Sequence, residues 1–274
     1  MKKRIFRGAS FILLTLSLPA IGWSLKDSDE IKSTTVPSHN TEIRAEETNA
    51  VKLSSKVLFD QYLQDLYTST NLKQASLDFE VFKKALTGYY NFKNSNLIST
   101  EKQVISIVDF TKASTEKRLW IIDIAAKKLL FNTLVAHGQG SGNNYATSFS
   151  NTANSHQSSL GFYVTSNTYF GKHGLSLKLN GMDTNYNTNA LDRAVVVHGA
   201  EYVSEEFIKQ HGRLGRSHGC PALPVALTPA IIEAIKGKTT LFINGPSEKY
   251  ASTYLDEELA LTNFGQGSQL QATL

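Results

Sequence analysis

Residues able to do covalent chemistry gather near one point of the chain. Cys220 is the only cysteine among the 274 residues. It follows Ser217-His218-Gly219 and precedes Pro221. His198-Gly199 stands 22 positions earlier, at the end of the apolar run Val195–Val197. A thiol is a weak nucleophile until it loses its proton, and a nearby imidazole can take that proton and later return it. A histidine at a strand end is held on a rigid scaffold, as a base should be. Gly219 lets a ligand approach the backbone closely, and amides around the nucleophile can bind a developing oxyanion. Pro221 keeps Cys220 out of helical angles, which helps to fix the thiol. These residue types suit acyl transfer with Cys220 as nucleophile and His198 as base. By themselves they leave another reading open, because a lone cysteine also serves as a small buried apolar residue. Ser217 is a further possible attacker, but it lacks the Gly-x-Ser-x-Gly turn.

Other polar residues are candidates for the same cleft. His218 reads as a scaffold residue whose backbone matters, or as a pocket wall or second base. His137 ends a strand in Val135-Ala136-His137-Gly138 and could line the cleft, though a lone histidine there also reads as structural or solvated. Tyr169, Lys172 and His173 lie in TYFGKHG, a segment suited to face a substrate, with strand packing as the other role for Tyr169. Arg216, just before Ser217, could handle substrate or pair with a surface carboxylate. His211 sits in a glycine-flanked loop and reads as exposed. No metal is expected, since zinc ligands usually come in close pairs; Cys220 with His211 and His218 is the one conceivable set. No cofactor is expected either, as the chain has no phosphate-binding loop and no dinucleotide fingerprint.

The elements that must position these residues are legible from periodicity. Leu53, Val57, Leu58, Tyr62 and Leu66 recur at helical spacing over 53–67. Phe79, Phe82, Leu86 and Tyr89 do so over 77–90, with Ser76 as cap. From residue 104 the pattern turns to strands, at 104–110, 119–124, 129–136, 161–166, 175–179, 194–198 and 239–244. Two of them, 119–124 and 129–136, form a hairpin. A stretch rich in Gly, Ser, Asn and Thr over 138–159 is long for a loop, and such loops are usually functional or mobile. Short helices are expected at 201–210 and 226–236. The fold class is therefore mainly β with an α-helical N-terminal element. The domain reading is 51–100 for the helical element, 101–245 for the catalytic domain, and 246–274 for a polar, loosely held tail.

Charge and composition bound the rest. Lys2, Lys3, Arg4 and Arg7, the apolar run Phe11–Leu18 and the small residues Ala20, Gly22 and Ser24 have the form of a secretory signal peptide over 1–24. Residues 25–50 read as a flexible polar linker. The formal net charge is +4. The four basic residues of 1–24, which holds no acidic one, account for all of it (+4 − 4 = 0). The basic balance belongs to the leader, so a nucleic-acid partner is not expected. No stable membrane span is expected once the leader is cleaved. An exported chain with one cysteine forms no internal disulfide, so its free thiol calls for a reason.

The longer strings identify a family. Ser-His-Gly-Cys preceded by a strand-end His-Gly resembles the catalytic signature of the YkuD-type L,D-transpeptidases. GRLGRSHGCPALP is similar to the branch of murein L,D-transpeptidase catalytic-domain proteins. The likeness extends through DFTKASTEKRLWIID (109–123), SSLGFYVTSNTYFGKHG (158–174) and NGMDTNYNTNALDRAVVVHG (180–199), covering roughly residues 75–245. It implies a β-sandwich-like catalytic domain with Cys220 as nucleophile and His198 as general base. It also implies that the Gly199 carbonyl orients the imidazole, and that Gly219 and Cys220, with His218 as a further donor, supply the oxyanion amides. The implied substrates are peptidoglycan stem peptides, attacked at an L,D bond to form a thioester that an amine resolves. Water as acceptor would make the same site a carboxypeptidase, and a non-catalytic cell-wall binder is a third reading. The implied location is the periplasm or cell envelope. One departure stands out: many family members carry an arginine two places after the cysteine, where this chain has Ala222, and Arg216 is the nearest substitute.

Overall fold

The computed structural model describes residues 55–262 and 264. The expected signal peptide (1–24) and linker (25–50) lie outside the described residues. Helix α1 covers 55–69, and α2 covers Phe79–Asn94. Eight strands follow: β1 (Val104–Asp109), β2 (Leu119–Asp123), β3 (Lys128–Thr133), β4 (Gly161–Gly171), β5 (Gly174–Gly181), β6 (Val196–Gly199), β7 (Ala222–Leu223) and β8 (Thr240–Asn244). Between and after the last strands lie α3 (Glu205–His211), α4 (Thr228–Ile235) and α5 (Glu257–Leu261). The strands form one curled sheet in the order β3-β2-β1-β8-β4-β5-β6-β7. The β1–β8 and β6–β7 pairs are parallel, and the others are antiparallel. The sheet-rich architecture with helices at its N-terminal side agrees with the fold class read from the sequence.

The central strands are apolar on both faces because both faces are covered. Ile105, Ile107, Trp120, Ile122, Phe162 and Phe242 pack with Phe59, Leu63, Phe82, Leu86 and Tyr89 of α1 and α2. Their neighbours in sequence, such as Val108, Ile121, Tyr163, Leu241 and Ile243, point the other way, into a second core that includes Ile231, Ile232 and Ile235 of α4. A period of two sorts the strand residues between these cores, and full burial of each large apolar side chain contributes about 1.5–3 kcal/mol. Trp120 is wholly buried, and its indole N–H donates to Ala75 O at 2.8 Å, fastening the helical element to the sheet.

Three details differ from the sequence reading. The buried stripe of α1 is Phe59, Leu63 and Leu66, whereas Val57 and Leu58 are exposed. The cap of α2 is Asp78, whose carboxylate accepts from the amides of Glu80 and Val81, while Ser76 sits in the preceding turn at φ +58. The stretch beyond Gly245, expected as a loose polar tail, is anchored at least to its helix α5. Asn91 Nδ2 donates to Tyr254 O and Asp256 O at 2.8 and 2.9 Å, Ala260 is buried, and Glu257 pairs with Lys56 and Lys83. The sequence pattern hid these contacts because they are made by backbone carbonyls, one carboxylate and one small buried residue, none of which recurs with a period.

The helical layer stops short of the far end of the sheet. Register places Ser176 opposite His198 and Lys178 opposite Val196, with Tyr169 opposite Ser176. Paired residues share a face. Tracing the pairs back to Val164, opposite Asn180, puts all of them on the side that the helices cover elsewhere. Left uncovered there, this face becomes the floor of a cleft.

Candidate active site

His198 is the third residue of the four-residue strand β6 and is almost fully buried. Its Nδ1 lies 2.9 Å from the carbonyl oxygen of Gly199. A carbonyl only accepts, so Nδ1 carries the proton and the neutral ring keeps its lone pair on Nε2. His173, from the turn between β4 and β5, stacks on this ring with centroids 4.4 Å apart. Burial lowers the imidazole pKa, the Gly199 bond opposes this, and positive charge at His173 and Lys172 lowers it further.

Cys220 is half-buried in the same cleft, which has a volume of about 370 Å³. Its Sγ accepts from the Val196 amide at 3.4 Å, and the thiol donates toward Ala194 O at 3.7 Å. Burial pushes the thiol pKa up, opposed by the Val196 amide and by the charges of Arg193 and Lys172. Burial thus disfavours the charged form of both groups.

The tetrapeptide before Pro221 folds around the hydroxyl of Ser217. That hydroxyl donates to Cys220 O at 2.6 Å and accepts from the Gly219 amide at 3.0 Å. The Ser217 amide donates to His137 O, and Ser217 O accepts from the Gln139 amide, which pins the turn to the 137–139 segment. Gly219 has φ +120, and a Cβ there would lie 2.7 Å from Gln157 O, so only glycine fits. After Pro221 the chain adds the two-residue strand β7 beside β6, with Ala222 opposite His198. This pairing brings the cysteine into the cleft that the histidine lines.

The cleft brings together most of the residues singled out from the sequence. Tyr169, Lys172, His173, His198, Arg216 and Cys220 all line it, together with Ser217 and His218. Arg216 Nη1 donates to Gly142 O at 2.9 Å rather than to a carboxylate. Three expectations need correction. His137 does not line the cleft: it is buried, with Nδ1 2.8 Å from the Arg118 guanidinium and its ring against Phe110. Burial and the Arg118 charge take its pKa down to about 4. Gly219 is not a free oxyanion donor, because its amide is held by Ser217 Oγ; the amides of His218 and Cys220 have no acceptor among the described residues. Ser217 is committed to closing the turn and is no attacker. The His218 ring is exposed and stacks on His156 at 4.2 Å. His211 ends α3 against Phe207, and no group of three His, Cys, Asp or Glu among the described residues could hold a metal ion.

Sequence reasoning missed Arg193, Ser176, Ala194 and Tyr202, which also line the cleft. Arg193 precedes the apolar strand by only a turn, and its role depends on Ala194 at φ +52, a bend that leaves no periodic signal. The described lining of the cleft holds three basic side chains, Lys172, Arg193 and Arg216, and no carboxylate.

The chain is thus a sheet-rich domain in which the only cysteine and a strand-end histidine meet in one basic cleft. Residues 73–244 match the family model described as the L,D-transpeptidase catalytic domain, and the chain belongs to that family. No curated protein matches it. Similar solved structures include an L,D-transpeptidase from Mycobacterium smegmatis, at 10% identity over 52% of this chain and 58% of that one, with TM-score 0.33. Another is the helical cell shape determining protein Pgp2 from Campylobacter jejuni, at 13% identity over 68% and 65%, with TM-score 0.35. A third is L,D-transpeptidase 1 of Mycobacterium tuberculosis, at 11% identity over 52% and 62%, with TM-score 0.29. The chain spans less than two thirds of each of these proteins. No helix among the described residues is long and apolar enough to cross a membrane.

Proposed function

We propose that the protein is an exported, cysteine-dependent L,D-transpeptidase that acts on peptidoglycan stem peptides in the cell envelope through a thioester acyl-enzyme. One observation carries this reading. Cys220 and His198 line a single cleft, and the Gly199 carbonyl holds the imidazole in the tautomer that presents Nε2 as a base. The family assignment agrees with it.

In this reading the thiol turns from Ala194 O toward His198, and Nε2 takes its proton as Sγ attacks the scissile carbonyl. The resulting oxyanion is met by the amides of His218 and Cys220. Collapse breaks the C–N bond, the imidazolium returns its proton to the leaving amine, and a thioester remains. The amine of a second stem peptide then attacks the thioester as His198 accepts its proton; the C–S bond breaks, the new amide leaves, and the imidazolium returns the proton to the Cys220 thiolate. The basic cleft suits a substrate rich in carboxylates, with Lys172 and Arg216 as the cations that have donors to spare.

Digestion of purified peptidoglycan by the protein, read by mass spectrometry beside Cys220→Ala, tests the proposal. New cross-linked dimers that the variant does not make are the expected result. Shortened stems without dimers would assign the same site to carboxypeptidase chemistry. Equal products from both proteins would overturn the nucleophile.

A further inference from the structure

Arg193 is placed unlike the other cations of the cleft. Its Nη1 donates to Ser150 O at 2.6 Å and to Ser159 Oγ. Its Nη2 donates to Gln157 O at 2.6 Å and to Ser155 Oγ at 3.3 Å. A guanidinium has five N–H donors in a rigid fork, so four of the five are spent within one loop. All four acceptors are neutral, and no carboxylate pairs with Arg193 among the described ion pairs. The guanidinium also lies against the nucleophile's own turn, since a Cβ on Gly219 would sit 3.2 Å from Nη2. Arg193 is therefore a fixed positive charge beside Cys220, with few donors left for a substrate.

We propose that Arg193 is the positioning residue that favours the Cys220 thiolate, acting through the field of its unpaired charge rather than by binding substrate. The inference rests on Cys220 being the nucleophile. An unpaired cation within a few ångströms of an ionising group favours its anionic form, and a half-buried setting screens that effect less than water does. The other charged or titratable groups lining the cleft with the thiol are Tyr169 on β4, His198 on β6, Lys172 and His173 on the β4–β5 turn, Arg216 and His218 on the 213–219 loop, and Tyr202 after β6. Of the cations among them, Lys172 and Arg216 are not held in a saturated fork, so they are left to meet the substrate. Burial opposes thiolate formation, and the Arg193 charge offsets part of that cost. When Nε2 of His198 takes the proton from Sγ, the anion left behind already has its counter-charge in place.

The test is the rate of Cys220 alkylation by iodoacetamide as a function of pH. The chain has one cysteine, so the label reports one site. The readout needs no peptidoglycan, so its failure and a failure of the transpeptidase reading are distinguishable. Arg193→Gln keeps a planar hydrogen-bonding end and removes the charge; its inflection is expected to rise by about one pH unit, with alkylation about tenfold slower at neutral pH. Arg193→Lys restores the charge and is expected to return most of that shift. Ser155→Asp retains Arg193 but places a carboxylate against Nη2, and is expected to raise the inflection in the same direction. It also keeps the test open should Arg193→Gln fail to fold. An unchanged inflection in Ser155→Asp, or equal shifts in the Gln and Lys variants, would overturn the proposal, since a role limited to anchoring the loop does not follow charge.

Discussion

Gly219→Ala probes how tightly the nucleophile's turn is specified. At φ +120 a residue with a Cβ carries a conformational cost of about 1–3 kcal/mol. The new methyl would lie 2.7 Å from Gln157 O and 3.2 Å from Arg193 Nη2. Gln157 O cannot yield freely, because it accepts from that same guanidinium at 2.6 Å. Displacing it weakens one charge-assisted hydrogen bond, at roughly 1 kcal/mol or more. The expected loss is about 2–4 kcal/mol of unfolding free energy, read from the urea midpoint and slope by circular dichroism. Gly212→Ala is the control. Gly212 caps α3 at φ +72 with nothing within 4 Å of its would-be Cβ, so only the left-handed penalty of about 1 kcal/mol applies. The difference between the two variants reports the contact with Gln157 and Arg193 together with the larger backbone penalty at φ +120. A Gly219→Ala protein as stable as Gly212→Ala, with unaltered Cys220 alkylation, would refute the idea that this turn is built against the 150–159 loop.

Further expectations follow from the charges and the packing. His198 has its pKa lowered, so the neutral base persists to lower pH than a free imidazole; the acid limb of kcat/KM should fall below pH 6.5, and a limb above it would contradict the buried, His173-stacked geometry. His137 is also lowered, to about 4. The unfolded chain therefore takes up its proton first, and this contribution to stability is present above pH 6.5 and lost as pH falls toward 4. A His137→Asn variant, which keeps an acceptor for Arg118, should show a shallower decline in urea midpoint across that window. Asp183 accepts from the Phe162 amide and the Tyr250 hydroxyl, both at 2.7 Å, and from Ser252. Asp183→Ala orphans these donors and is expected to cost about 2–5 kcal/mol while leaving the rate of Cys220 alkylation unchanged; a parallel loss of alkylation would mean that this distant anchor shapes the cleft.

The legible parts of this molecule are those where one physical signal dominates. Apolar runs mark β1, β2 and β8, since both of their faces are buried and most of their residues are apolar. The Cys220 and His198 strings stand out by residue type alone. The illegible parts depend on long-range pairing. β7 is two residues long, too short for any periodicity, yet it places the thiol beside β6. His137 looks like a cleft residue from its strand-end position, and only the buried Arg118, held by Val135 O and Lys112 O, explains why its ring turns inward. Arg193 escapes notice because its partners are serine hydroxyls and carbonyls in a loop whose composition reads as featureless. The C-terminal segment is misjudged for the same reason: its anchors to Asn91 and Asp183 are long-range hydrogen bonds that no local pattern announces.

The most direct test of the central claim is the intact mass of the protein, acid-quenched during reaction with an isolated stem peptide. The account expects a transient mass increase equal to the donor acyl group, located on Cys220, released by neutral hydroxylamine as a thioester should be, and absent from Cys220→Ala. Turnover without such an adduct, or an adduct that persists in Cys220→Ala, would contradict it.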